Sequence, residues 1–439
     1  MPELPLISTV LTVPGFTLGA SQVASASPQP GDIVSVGLVV DNERVAWGVC
    51  PLLSGGPLSV DTTINSIQQT VAPALQGERL ASFRELAAKV EALTETVTIT
   101  ETLPEPEGDN QASKFSRRDL FTGRLWSTPP SEEPAPRTRE ISVQRSLLPA
   151  IRYGVSQALL AAVAMAQNKR VAETVVAEYN LPAKPISTVA IHVSAGPPSD
   201  EAITAVDTLL SSQVASLGYT IAGSNDKAQM GSNGERLQQY VRRLQTQIAA
   251  AETSGYQPVI HLDVRGGLGR LFDNDPGKIL GALFGLEQAA KPYLVRVVDP
   301  VIMDSRQGQI ETLRQLKEYL RLRRMRLQLV ASAWIDSAED VDAFVQSEAV
   351  QAIQLNAPQL GSLHRTIEAI LACRERGITS LLAGHGGDDG YCAQILAHVA
   401  LATQPDLIVA PESAHGFALL HNEMARTLAW LSRNSGFAG

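Results

Sequence analysis

A chain of 439 residues is too long for one ordinary core, so about two domains are expected, one of which can be a barrel. Apolar content of 44% and charged content of 18% describe a globular protein, and only 5% aromatic residues argues against a base-stacking surface. The net charge of −9 turns it away from nucleic acid and from acidic membranes as partners.

The first segment, MPELPLISTVLTVPG, lacks a basic region followed by a long apolar run, and no apolar stretch in the chain approaches about 18 residues. Neither secretion nor membrane spanning is expected. Next, ISTVLTV, DIVSVGLVVD and RVAWGVC read as strands with DNE as a turn, followed by the helical patterns TTINSIQQTVAPALQG and ASFRELAAKVEALTE. Residues 1–100 are therefore predicted to form an α+β capping domain. Residues 101–146 are rich in Pro, Ser and charge and show no strand or helix period, so a flexible insertion or linker is predicted there. Helices are expected over LLPAIRYGVSQALLAAVAMAQN and RVAETVVAEYN, the second stopped by LPAKP.

From residue 187 onward, eight short apolar runs alternate with amphipathic stretches: STVAIHVSA, GYTIAG, PVIHLDV, YLVRVVDPV, RLQLVASAW, VQAIQLN, ITSLLAG and DLIVAPE. That count predicts an α/β fold with a C-terminal (β/α)8 TIM-type barrel, which with its leading helices occupies residues 147–439. An open doubly wound sheet is the alternative, but no G-x-G-x-x-G follows the first run. The segment GSNDKAQMGSNG carries turn residues and reads as an exposed loop.

Such barrels keep their chemistry at the C-terminal ends of the strands. Those ends hold Ser194, Asp263, Val298 with Asp299, Ser332, Gln354 with Asn356, His385, and Glu412 with His415. Asp263 and His261 are two residues apart and share a face, with His261 a layer below the mouth. His385, Asp388 and Asp389 sit on a Gly-rich stretch, although the two Asp residues also suit a helix N-terminus. His364, His398 and His421 fall in helical patterns and read as surface or packing residues, and the basic run RLRRMR suits the end of a helix. Three cysteines without a paired spacing, Cys50, Cys373 and Cys392, suggest neither a disulfide framework nor a zinc site and fit a reducing cytoplasm. Cys373 and Cys392 lie in helical patterns and read as small buried hydrophobes.

The motifs GVCPLLSGG, RYGVSQALLAAVA, GERLQQYV, IHLDVRGGLG, PYLVRVVDP, AIQLNAPQLG and HNEMART resemble those of methylaspartate ammonia-lyase, a member of the enolase superfamily. The resemblance covers most of the chain except residues 101–146. It implies a capping domain over a barrel, a homodimer, and elimination of ammonia from 3-methylaspartate. It also implies magnesium on three strand-end carboxylates, a lysine base on a later strand and a histidine opposite.

Position by position, Asp263 matches the first metal carboxylate, while Val298 and Ser332 stand where the other two are expected. Asp299 lies one residue off, which on a strand faces away unless a bulge intervenes. Gln354 matches a substrate-contacting position, Asn356 replaces the lysine, and His385 and Gly386 stand at a threonine and a cysteine that contact substrate. The histidine finds no counterpart in VASLGYTIAG.

The resemblance therefore implies a divergent homologue in which magnesium keeps only a weakened ligand set and ordinary ammonia-lyase activity is absent. An amide supplies none of the roughly 10²–10⁴-fold that a proton-transferring group contributes. The expected ligand is a small polar, amino-acid-like molecule held around Asp263, Gln354, Asn356 and His385. The alternative is an active carbon-nitrogen lyase or isomerase with a relocated site at His385, Glu412 or His415, with or without a metal such as zinc or manganese. A third reading is a non-enzymatic interaction role that uses residues 101–146 as the partner segment.

Overall fold

The computed structural model describes residues 7–12, 33–40, 44–52, 59–102, 138–181, 187–196, 206, 209–221, 226–251, 255–384, 390–411 and 416–434. They fall into two compact units, residues 1–92 with 148–439, and residues 93–147.

The first unit begins with a three-stranded antiparallel sheet, β1 (Ile7–Thr12), β2 (Ile33–Val40) and β3 (Arg44–Pro51), paired in that order. On β2, Val34, Val36, Leu38 and Val40 are buried, the alternation that one covered face requires. A helix over Pro149–Ala166 packs on β3 so closely that two glycines are needed. A Cβ at Gly48 would fall 1.9 Å from the carbonyl oxygen of Gly154, and one at Gly154 would fall 2.3 Å from Sγ of Cys50. The Gln157 amide locks this contact by donating to the carbonyl of Val49 at 3.1 Å. The stretch predicted as one helix over TTINSIQQTVAPALQG contains a π-turn over Ile67–Val71, immediately before Ala72–Leu75. Pro73 cannot donate to the preceding turn, and the widened turn accommodates that loss.

The barrel follows. Its strands are β6 (Ile191–Ser194), β7 (Ser216–Thr220), β8 (Val259–Asp263), β9 (Val295–Val298), β10 (Gln328–Ala331), β11 (Ala352–Asn356), β12 (Thr379–Ala383) and β13 (Leu407–Val409). Each neighbouring pair is parallel, and β13 pairs with β6 to close the ring. The predicted α/β fold is the one found. Val298, Val330, Ala352, Leu381 and Leu407 form a buried cluster across five consecutive strands. Outside, the helix over Arg306–Leu322 buries Ile310, Leu313, Leu316 and Leu320 at helical spacing and starts at Ser305, whose hydroxyl accepts from the Gly308 N–H.

Part of the predicted loop GSNDKAQMGSNG is instead a helix over Asp226–Met230, where Met230 is fully buried and gives the segment a packed side.

In the second unit, part of the segment in which no strand period was read is a strand, while residues 103–137 lie outside the described residues. Residues 138–146 form β5 (Thr138–Ser146), antiparallel to β4 (Thr94–Thr102) over nine residue pairs. Val97 stands opposite Val143, and Glu95 opposite Arg145 forms an ion pair at 2.9 Å. The second strand was obscure because its partner lies far away in the chain and its short polar residues resemble a linker. Cys50, Cys373 and Cys392 are all buried. No described helix is long and apolar enough to cross a membrane.

Candidate functional site at the barrel mouth

The barrel interior is unusually polar toward the C-terminal ends of β8 to β11. Gln354 on β11 accepts from or donates to two residues of β8: Oε1 lies 3.2 Å from Nε2 of His261, and Nε2 donates to Oδ2 of Asp263 at 3.4 Å. Two strands separate β8 from β11 in the ring, so these bonds cross the interior. His261, Asp263 and Gln354 are all nine-tenths buried or more. The other oxygen of Asp263, Oδ1, accepts the backbone N–H of Arg265 at 3.2 Å, and the mostly exposed Arg265 guanidinium stands 4.0 Å from Oδ2.

Asn356 donates through Nδ2 to Oγ of Ser332 at 2.8 Å. The register explains the meeting: Val330 pairs with Ala352 on the adjacent strands, so both side chains lie on the inward face beyond that pair. Val298, one strand over, pairs with both Asp263 and Val330, and its apolar side chain is fully buried in the interior cluster.

Asp299 does face inward, and by a different device from the bulge considered above. β9 stops at Val298, and Asp299 takes the left-handed conformation with φ of 42°. Its carboxylate accepts the backbone N–H groups of Ser332 and Ala333, each at 2.9 Å, and so caps the end of β10. Burial, with the nearby Asp263 carboxylate adding to it, pushes the Asp299 carboxyl up to about 7 against the opposing pull of those two N–H groups.

One layer deeper, His261 and His192 face each other with ring centroids 4.6 Å apart. They come from β8 and β6, and meet over Gly218 of the intervening β7. The Nδ1 of His192 shares a hydrogen bond with the Ser216 hydroxyl at 3.0 Å. Desolvation, reinforced by the positive charge of Arg296, lowers the imidazole of His261 to about 3, and burial drives that of His192 well below its usual range. Sequence reasoning passed over His192. The signal was the alternation in STVAIHVSA, which places an imidazole on the same inward face as His261.

His385, Asp388, Asp389, Glu412 and His415, the candidates for relocated catalysis or metal binding, lie outside the described residues. Among the described residues no group of three or more His, Cys, Asp or Glu is placed to hold a metal ion. The three helical histidines have the packing roles expected of them. His364 bonds the Tyr179 hydroxyl at 2.7 Å, His398 faces Glu423 at 3.3 Å, and His421 lies against the Phe417 ring. A cavity of 270 Å³ lined by Lys291, Tyr293 and Arg326 lies where β9 and β10 begin, at the opposite end of the barrel.

A family model described as the methylaspartate ammonia-lyase C-terminus matches residues 186–433, and one described as the N-terminus matches residues 132–180. The chain belongs to the methylaspartate ammonia-lyase family. It is 32% identical to methylaspartate ammonia-lyase 2 of Carboxydothermus hydrogenoformans, over 93% of this chain and 88% of that one. The methylaspartate ammonia-lyase of Clostridium tetanomorphum is 27% identical over 95% and 92% of the two chains. Among solved structures, the Citrobacter amalonaticus methylaspartate ammonia-lyase containing (2S,3S)-3-methylaspartic acid superposes with a TM-score of 0.74 at 23% identity, over 98% of this chain and all of the other. A muconate lactonizing enzyme from Pseudomonas fluorescens follows at 0.59 and 14% identity, over 93% and 88%. This member of the methylaspartate ammonia-lyase family thus has the enolase-superfamily fold.

Proposed function

We propose that this family member binds a small polar, amino-acid-like molecule at the barrel mouth, around Asp263, Gln354 and Asn356, and does not carry out the magnesium-dependent ammonia-lyase reaction. The observation that carries the proposal is the Asn356–Ser332 bond. An amide and a hydroxyl, already paired with each other, occupy positions where the resemblance leads one to expect a base and a metal carboxylate, and an amide takes no proton near neutral pH.

The donor chemistry supports the metal-free reading. Magnesium takes oxygen ligands in near-octahedral geometry. Here both oxygens of Asp263 accept N–H groups, from Arg265 and Gln354, and both oxygens of Asp299 accept backbone N–H groups. Val298 offers no donor atom, so magnesium does not fit the described set. Within the same reading the protein is a cytoplasmic homodimer with capping, insertion and barrel segments near 1–100, 101–146 and 147–439.

The chemistry left to the mouth is recognition. Asp263 provides a negative charge for an ammonium group, and the carboxamides of Gln354 and Asn356 offer donors and acceptors for a carboxylate or carbonyl. The test is to incubate the purified protein with 3-methylaspartate, with and without magnesium, and to follow released ammonia. We expect none above the protein-free blank. Calorimetry with aspartate and 3-methylaspartate should show binding that is insensitive to EDTA and weakened in Asp263→Ala. Ammonia release that depends on magnesium, or stoichiometric magnesium lost in Asp263→Ala, overturns the proposal.

A further inference from the structure

We infer that His261 is a positioning residue: its Nε2–H fixes the carboxamide of Gln354 in the orientation that aims the amide nitrogen at Asp263 and offers the second N–H of that nitrogen to an acceptor oxygen on the ligand. The inference rests on the mouth being a ligand site, and it adds a residue that never touches the ligand.

The orientation follows from a chain of exclusions. An ionised carboxylate only accepts hydrogen bonds, so the end of Gln354 facing Asp263 must be its nitrogen. The amide oxygen then faces His261, and because that oxygen also only accepts, the ring must donate from Nε2. A buried neutral imidazole carries one proton, so Nδ1 is left as a bare lone pair. The structure agrees: Nδ1 of His261 is a buried atom with no hydrogen-bond partner, although buried polar groups are nearly always paired. A donor placed beside Nδ1 would reinforce this tautomer, whereas an acceptor there would pull the proton across and release Gln354.

The ring is also braced from behind. His192 lies against it at 4.6 Å, tilted by 51°, and is itself tied to Ser216. Between the two strands that carry these rings, Gly218 lets β7 lie close to β8, since a Cβ there would fall 1.6 Å from the backbone carbonyl oxygen of His261. The remaining N–H of Gln354 has no partner among the described residues, although the side chain is only 4% exposed. Gln354 therefore selects a ligand oxygen, as a carboxylate-bearing molecule would provide.

The experiment uses the full-length protein labelled with ¹⁵N. Long-range proton–nitrogen correlation spectra at neutral pH report which imidazole nitrogen bears the proton, with His261 assigned by its disappearance in His261→Gln. We expect the Nε2–H tautomer, unchanged by added aspartate. The Nδ1–H tautomer, or a rapidly averaging ring, overturns the inference whether or not any ligand binds.

Calorimetry with aspartate and 3-methylaspartate gives the second readout. His261→Phe, which cannot donate, should weaken binding about tenfold, and His261→Gln, which can, should stay within about threefold of the wild type. Wild-type affinity in a folded His261→Phe variant overturns the inference. If that variant does not fold, the wild-type tautomer decides. Absence of ligand binding by the wild type counts against the proposed function, while the tautomer still tests His261 separately.

Discussion

At the scale of single residues, most polar side chains at the mouth bond one another, as Asn356 and Ser332 do. Removing one partner should therefore cost more than its own bond. Ser332→Ala leaves the Asn356 amide without its acceptor, and we expect a loss of about 1–2 kcal/mol in urea unfolding, with Ser332→Thr close to wild type. The buried histidines set the response to acid. His261 titrates at about 3 in the folded protein, against about 6.5 for an exposed imidazole, so between these values the unfolded chain binds the proton and the folded one does not. The stability this confers is complete above about pH 6.5 and is lost as pH falls toward 3, by up to roughly 5 kcal/mol. His192 acts in the same direction. Urea midpoints measured from pH 7 to pH 4 should fall less steeply in His261→Gln than in the wild type. Asp263, Gln354 and Asn356 were legible in the sequence because each closes a recognisable apolar run. The inward turn of Asp299 was not, because it depends on a backbone conformation that a residue other than glycine adopts only at a cost, offset here by two amide N–H groups on the next strand.

At the scale of elements, the contact of β3 with the helix over Pro149–Ala166 leaves no room for a Cβ at Gly48 or Gly154. Gly154→Ala would drive a methyl group into Cys50, and we expect a destabilisation of about 3 kcal/mol, seen as a lowered melting temperature. Gly48→Ala should do at least as much harm, because the obstacle is backbone and cannot rotate away. Gly281→Ala, with nothing near its Cβ position, is the control, expected to be neutral or mildly stabilising. The barrel strands and the larger helices were readable because hydrophobic period and length both spoke for them. The pairing of β4 with β5 was not, because hydrogen bonding across so wide a gap in sequence leaves no local trace, and residues rich in Pro and charge lie between. The helix over Asp226–Met230 escaped for a related reason: only the burial of Met230 distinguishes its sequence from a turn.

At the scale of the whole molecule, the ring closes only through β13, a strand of three residues that bridges β12 and β6. A chain ending at residue 404 lacks it, and we expect such a protein to lose the sharp cooperative melting of the full chain in circular dichroism and to precipitate on heating. Closure has a further consequence for the nascent chain. A ribosome that has made β6 to β12 holds seven parallel strands with two exposed edges, each an invitation to pair with another chain. No rearrangement of those seven can supply the missing ladder, so the vulnerable interval lasts until residue 409 has emerged. Slowing translation ahead of β13 should therefore lower the soluble yield, whereas slowing it afterwards should not, since the ring is by then complete.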